Sequence, residues 1–244
     1  MKYLNTYLFF FISMTLSAQI TTGSIRYTIN MGGAGDNSQA ASLLQDMEME
    51  LSFKPNVSVV DMTMMGMIET KTINEGSITT QYMDMMGQKI KVVTDQSELE
   101  EILGASGDEL VEKMNQLYKY NRVPGDTQEI LGFQCTRVDI TVDLETLMDE
   151  SDEDLSSLGL IDNMTITAYV TEDIDIGTVN FMMTNNLMFK GAPLLMTMDM
   201  GIMKMDWEAT SFNKDVHPSV FQAPKGDYKE MDPADIPGMG GFRF

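Results

Sequence analysis

The sequence predicts a mainly β domain of the α+β class: a curved antiparallel sheet of about ten strands with helices covering one side. Three observations predict it. Apolar and polar residues alternate in short runs, and the runs end at Gly, Pro or Asn. No alternating strand–helix rhythm supports a parallel sheet. One stretch, 97–118, has helical spacing instead. At 244 residues the chain is long enough for one good core, or at most two small ones.

Residues 1–18 read as a cleavable export signal: Lys2, an apolar run from Leu8 to Leu16, and a cut after Ala18. That run is too short to span a bilayer, and no later segment is apolar enough to do so. Ile20 to Met31 alternates as a strand, and Gly32 to Gln39 reads as a flexible stretch. Met47, Met49, Leu51 and Phe53 alternate with Glu48, Glu50, Ser52 and Lys54, a half-buried strand that Pro55-Asn56 turns. Val57 to Met65 returns antiparallel, with Val60, Met62 and Met64 on one face. Met67 to Ile73 and Ile78 to Met86, the latter carrying Met83 and Met85, flank a turn at Asn74-Glu75-Gly76-Ser77, and Lys89 to Val93 adds a strand. The pattern Met-x-Met-Met-Gly at 62–66 and 83–87, echoed at Met198-Asp199-Met200-Gly201, reads as strands ending alike rather than as a repeat.

Ser97 with Glu100 forms a capping-box pattern, and Leu99, Ile102, Leu103, then Leu110, Val111, Met114, Leu117 and Tyr118, predict a kinked helix or two short ones over 97–118. Asp126 to Val142 reads as strand. Residues 143–158 are an acidic insertion; a calcium loop needs a glycine at its sharp turn, and none occurs before Gly159. Met164 to Asp173 is strand, Asp215 to Asp232 a closing segment laid along the domain, and 233–244 a Gly/Pro-rich flexible tail. Residues 19–232 therefore form a single domain.

The stretch Leu194 to Trp207 organises the rest. Read as a hairpin turning at Met200-Gly201, it sets Met198 opposite Met203, Met196 opposite Met205 and Leu194 opposite Trp207, all on one face. A single strand bulged at Gly201 is the rival reading, and both give a thioether-lined sheet face.

The order of Met62-Thr63-Met64-Met65-Gly66-Met67, Tyr82-Met83-Asp84-Met85-Met86-Gly87-Gln88-Lys89, Ile130-Leu131-Gly132-Phe133-Gln134-Cys135, Tyr169-Val170-Thr171-Glu172-Asp173, Lys190-Gly191-Ala192-Pro193-Leu194 and Val220 to Lys229 resembles a methionine-rich family of exported bacterial proteins, a domain of unknown function. That family is similar in fold to the LolA/LolB periplasmic lipoprotein carriers. The resemblance implies an unclosed antiparallel half-barrel with helices over an apolar cavity, and it spans most of residues 20–232. The insertion 143–158 departs from the pattern, as does Tyr169 where Trp is expected. No catalytic residue is implied.

Composition narrows the chemistry. Removing residues 1–18 takes away one Lys and no acid, which moves the net charge from -21 to -22. So acidic a surface disfavours nucleic acid and anionic headgroups. Cys135 is the only cysteine, so packing alone must hold the fold. His217 is the only histidine; a Cys–His nucleophile stands against a buried, inert cysteine, and no spacing supports zinc. No cofactor is indicated, and the chain reads as non-enzymatic. The 25 methionines have three readings: flexible core filler, adaptable walls of a ligand cavity, or soft ligands for Cu(I). The expectation is a periplasmic or secreted protein that binds a lipid, another apolar molecule or a lipoprotein partner. Its candidate site is Met62, Met64, Met83, Met85, Met196, Met198, Met203, Met205 and Trp207. Copper handling is the alternative, and a structural interaction domain the third.

Overall fold

The computed structural model describes residues 19–33, 47–64, 66–95, 118–143, 163–177, 189–199 and 203–232. The expected export signal, the helical span up to residue 117, the acidic insertion beyond Asp143 and the 233–244 tail lie outside the described residues.

Twelve strands form one sheet: β1 (Gly23–Gly33), β2 (Met47–Lys54), β3 (Val57–Met64), β4 (Ile68–Glu75), β5 (Ile78–Met85), β6 (Gln88–Asp95), β7 (Tyr118–Ile130), β8 (Phe133–Asp143), β9 (Asn163–Thr171), β10 (Ala192–Asp199), β11 (Met203–Asn213) and β12 (Lys229–Glu230). Their order across the sheet is β12-β6-β5-β4-β3-β2-β1-β11-β10-β9-β8-β7. Two meanders, β1 to β6 and β7 to β11, thus meet at one seam, β1 against β11. All pairs are antiparallel except β12 on β6. No described pairing joins β7 to β6 or β12, so the sheet is unclosed. The helical expectation over 97–118 is corrected at its one described residue, since Tyr118 opens β7. Among the described residues the helix present is one short 3-10 turn, Pro218–Phe221.

Turn chemistry sets the hairpins. Met86-Gly87 and Leu131-Gly132 are two-residue turns with positive φ at both positions (53° and 89°, 53° and 83°), the geometry whose twist matches the flanking strands. Methionine at such a position is unusual, because a β-carbon there crowds the backbone. Asn56 takes the left-handed conformation at the turn after β2, as the sequence indicates.

The sheet rolls so that one face turns inward. Phe133 of β8 and Phe212 of β11 meet edge to face, with ring centroids 5.2 Å apart, although two strands lie between theirs. A flat sheet would separate those strands by about 14 Å. The Tyr27 hydroxyl likewise reaches across β11 and donates to the Pro193 carbonyl at 2.8 Å. Side-chain alternation and the strand register together assign the inner face. One row of cross-strand neighbours runs Val138, Ala168, Met196, Trp207, Ile29, Met47, Met64, Ile68 and Met85. The main core lies on this face, joining Ile25, Tyr27, Leu51, Phe53, Ile166 and Leu194 to that row.

The outer face carries a strap. After β11 the chain returns over the sheet, where the 3-10 helix packs against β3, whose outward-facing Val59 is fully buried. Lys54 lies over the Phe221 ring at 4.6 Å. Tyr228 then meets Tyr82 edge-on at 5.1 Å, and β12 pairs beside β6, with Lys91 and Glu230 in a 2.9 Å ion pair. The closing segment expected over 215–232 is this strap.

The methionine-lined inner face as candidate binding site

The register places the predicted residues. Residues Leu194 to Trp207 do form a hairpin, so the single bulged strand is excluded. The partners differ from expectation: Met198 faces Met205, and Met196 faces Trp207. The pairing is shifted by two residues. An even shift leaves every side chain on its face, because the strand period is two.

Met196, Met198, Met205 and Trp207 are all buried in the main core, with Trp207 only 1% exposed. Met62 and Met64 are half-buried and pack against that core from β3. Met83 is buried in a second, smaller cluster with Ile90 and Val92, against which Met85 and Met231 pack. Met203 begins β11, and its side chain lies outside the described residues. The structure thus brings the other predicted methionines onto one face but divides them between two clusters. Between these lie the half-buried Ile68, Thr70 and Thr72 of β4. The prediction omitted Met47 and Met49, which are buried opposite Met64 and Met62. Their alternation with Glu48 and Glu50 was the available signal.

The inner face has two different ends. Gly33, Met64, Met85 and Asp199 mark one end, which carries the hairpin tips after β3, β5 and β10. Tyr27, Met49, Met62 and Met83 share a row halfway along the strands. Among the described residues of β1 to β11, no methionine lies on the far side of that row. The opposite end is filled by Ile25, Leu51, Phe53, Leu194 and Cys135. The methionines are therefore concentrated in one half of the interior, where they lie among Trp207, Ile29 and Ile68 and make that half the more adaptable one.

At the methionine end, the tips after β3 and β5 are joined by the Met86 N–H donating to the Met67 carbonyl at 3.4 Å. Met67 and Met86 are 52% and 83% exposed there. With Gly66, Glu69, Asp84 and Gly87 they line an open depression of about 330 Å³.

Polar groups on the inner face are mostly partnered. The Asn74 amide donates to Ser58 Oγ at 3.1 Å, and its carbonyl accepts from Thr79 Oγ1 at 3.0 Å, a polar ladder across β3, β4 and β5. The Tyr27 phenol is pushed above its usual range by burial, with the Cys135 thiol adding to this. The exception is Trp207, whose buried indole Nε1 has no hydrogen-bond partner. A buried, unpaired donor costs about 1–3 kcal/mol.

The residues weighed as a nucleophilic pair do other work. Burial pushes the Cys135 thiol up to about 11, and its S–H donates to the Phe133 carbonyl at 3.6 Å. His217 caps the 3-10 helix, its Nδ1 accepting from the Ser219 N–H at 3.2 Å and lying 2.7 Å from Ser219 Oγ. Among the described residues no group of three or more His, Cys, Asp or Glu could hold a metal ion. No helix there is long and apolar enough to cross a membrane.

No protein-family model matches this sequence, and no curated protein matches it significantly. Solved structures are similar over most of their length. The lipoprotein LppX of Mycobacterium tuberculosis is 12% identical at a TM-score of 0.40, covering 80% of this chain and 88% of its own. LprF of Mycobacterium bovis is 14% identical at 0.36, covering 84% and 90%. A β-barrel-like protein of a domain of unknown function from Brucella abortus is 10% identical at 0.36, covering 82% of this chain and 100% of its own.

Proposed function

We propose that this chain is an exported, non-enzymatic binding protein that holds an apolar ligand, a lipid or acyl chain, against the methionine half of its inner sheet face. The observation that carries the reading is the unbroken apolar row from Met196 to Met85. Its first part is packed core, but Met64, Ile68 and Met85 are only half-buried. Apolar surface left in that state gains about 25 cal/mol per Å² when a ligand covers it. Thioether side chains, with three rotatable bonds and no branching, suit a ligand of variable shape. Met196, Met198, Met205 and Trp207 form the floor of this site rather than its contact surface.

The burial pattern chooses the test. Met198→Glu would place a charge in the packed floor and unfold the protein whether or not a ligand exists. Met64→Glu puts the same charge at a half-buried position, where it can reach water. A fluorescent fatty acid titrated into wild type should show saturable uptake. Met64→Glu should melt within a few degrees of wild type and lose that uptake at least tenfold. Wild type that takes up no fatty acid, or a Met64→Glu variant that folds and binds as before, refutes the reading.

A further inference from the structure

The pairing of β2 with β3 assembles something that spacing along the chain does not show. Met49 lies directly opposite Met62, and Met47 opposite Met64. Four thioethers therefore occupy a two-by-two block on the inner face of one hairpin. Directly opposite Cβ atoms lie about 4.5–5.5 Å apart. Same-face neighbours along a strand are about 7 Å apart. A methionine sulfur sits two bonds beyond Cβ on freely rotating torsions, so all four can converge on a point between them. Tyr27 and Ile29 flank the block on β1, and Thr70 and Ile68 flank it on β4. The block and its immediate cross-strand neighbours thus present no carboxylate, imidazole or thiol.

That ligand set is selective. Neutral thioethers are poor partners for hard cations, which need oxygen, and they suit a soft monovalent ion. We propose that Met47, Met49, Met62 and Met64 form a Cu(I)-binding site. Met47 and Met49 are buried and fixed by the core, while Met62 and Met64 are half-buried and give the ion a way in. The ligands leave the ion's positive charge uncancelled. Glu50 and Asp61, on the outer face of the same two strands, are already paired with Arg26 and Lys71, so the favourable field comes from the chain as a whole, whose net charge is -21. That charge lowers the free energy of a bound cation. The site shares Met64 with the proposed lipid surface, but leucine there keeps the apolar contact and removes only the sulfur, and Met83 and Met85 of the wider face lie on β5, two strands from β3, so the two readings can be separated.

The test uses the full chain, anaerobically and with ascorbate to keep copper reduced, titrated against a chromophoric Cu(I) chelator. Three paired variants are compared with wild type: Met62→Leu with Met64→Leu, Met47→Leu with Met49→Leu, and Met83→Leu with Met85→Leu as control. Leucine keeps apolar volume and removes only the sulfur, so all should fold, which their melting curves check. Wild type should withdraw one equivalent of Cu(I), with a shell of three or four sulfurs by X-ray absorption. Both β2–β3 pairs should weaken Cu(I) at least tenfold, and the β5 pair should leave it unchanged. The Met62/Met64 leucine variant should still take up fatty acid if the wider face binds lipid, so the two readings fail separately. A wild type that cannot compete for Cu(I), a shell of oxygen or nitrogen, or equal losses in the β5 control would overturn the site.

Discussion

Replacing Gly191 by alanine tests the junction that sets β10, and with it Met196 and Met198, in place. Gly191 has φ of +115°, and a Cβ there would lie 2.0 Å from the Thr171 carbonyl oxygen and 3.1 Å from Glu172 Cα. Gly132 is the matched control: its φ is +83°, with nothing within 4 Å of where a Cβ would lie. Gly132→Ala should therefore cost only the left-handed penalty, about 1–2 kcal/mol. Gly191→Ala adds a clash that only backbone movement of about an ångström can relieve. Ala192 pairs with Thr171, and the Thr171–Glu172 segment is fixed from its other side by Ile20, whose N–H donates to Asp173 O and whose carbonyl accepts from the Asp175 N–H, both at 2.8 Å. Losing two or three such bonds at about 1 kcal/mol each brings the total, with the left-handed penalty, to roughly 3–5 kcal/mol. Domains of this kind hold about 5–15 kcal/mol in all, so Gly191→Ala should lose a large share of the stability. Urea titration followed by Trp207, the chain's one tryptophan, reads the difference directly. Two variants within about 1 kcal/mol of each other would refute the clash argument.

Three further outcomes follow from the same contacts. Asn74→Ala should cost about 2 kcal/mol in the urea assay, because it removes two hydrogen bonds, from its amide to Ser58 Oγ and from Thr79 Oγ1 to its carbonyl; a loss under about 0.5 kcal/mol would mean the ladder is idle. Cys135 should resist a thiol reagent at pH 8 until denaturant is added, since its thiol is pushed up to about 11. A pKa raised on folding gives stability that is complete below about pH 9 and lost as pH rises through 11, so Cys135→Ala should flatten the alkaline decline by about 2–3 kcal/mol; an unchanged decline would assign it to other groups. Tyr228→Ala removes the edge contact with Tyr82 and the ring beneath Lys89, and should speed proteolytic cutting within 214–232 before the sheet unfolds; equal cutting rates would show that the strap is held elsewhere.

Strands that bury one face were legible, and strands that bury neither were not. Met47 to Lys54 alternates strictly, and β2 has those bounds. The first half of β7 was missed because Lys119, Tyr120, Asn121 and Arg122 are all exposed at the sheet edge, so no apolar period marks them. Pairing with β8 alone makes that segment a strand. The hairpin after Met196 shows the same limit in another form. Alternation fixes which face Met196, Met198 and Met205 occupy, but only turn geometry fixes which residues oppose. The site followed suit: methionines could be assigned to a face from sequence, whereas the Met47–Met64 and Met49–Met62 pairs exist only through the β2–β3 register.

The seam between the meanders has a kinetic consequence. Most neighbouring strands within a meander are separated by a few residues, but Gly33 pairs with Met203 and Ser24 with Asn213. Closing a loop of about 170 residues rather than two costs roughly 4 kcal/mol of chain entropy, at about 0.6 kcal/mol per doubling. The meanders can therefore zip early, while the seam waits for a slow encounter. Trp207 faces Ile29 across that seam, so its burial times the late step. Before it closes, β1 and β11 are bare edges with apolar faces. β1 of one chain can then meet β11 of another at the same register, so refolding at high concentration should give exchanged dimers.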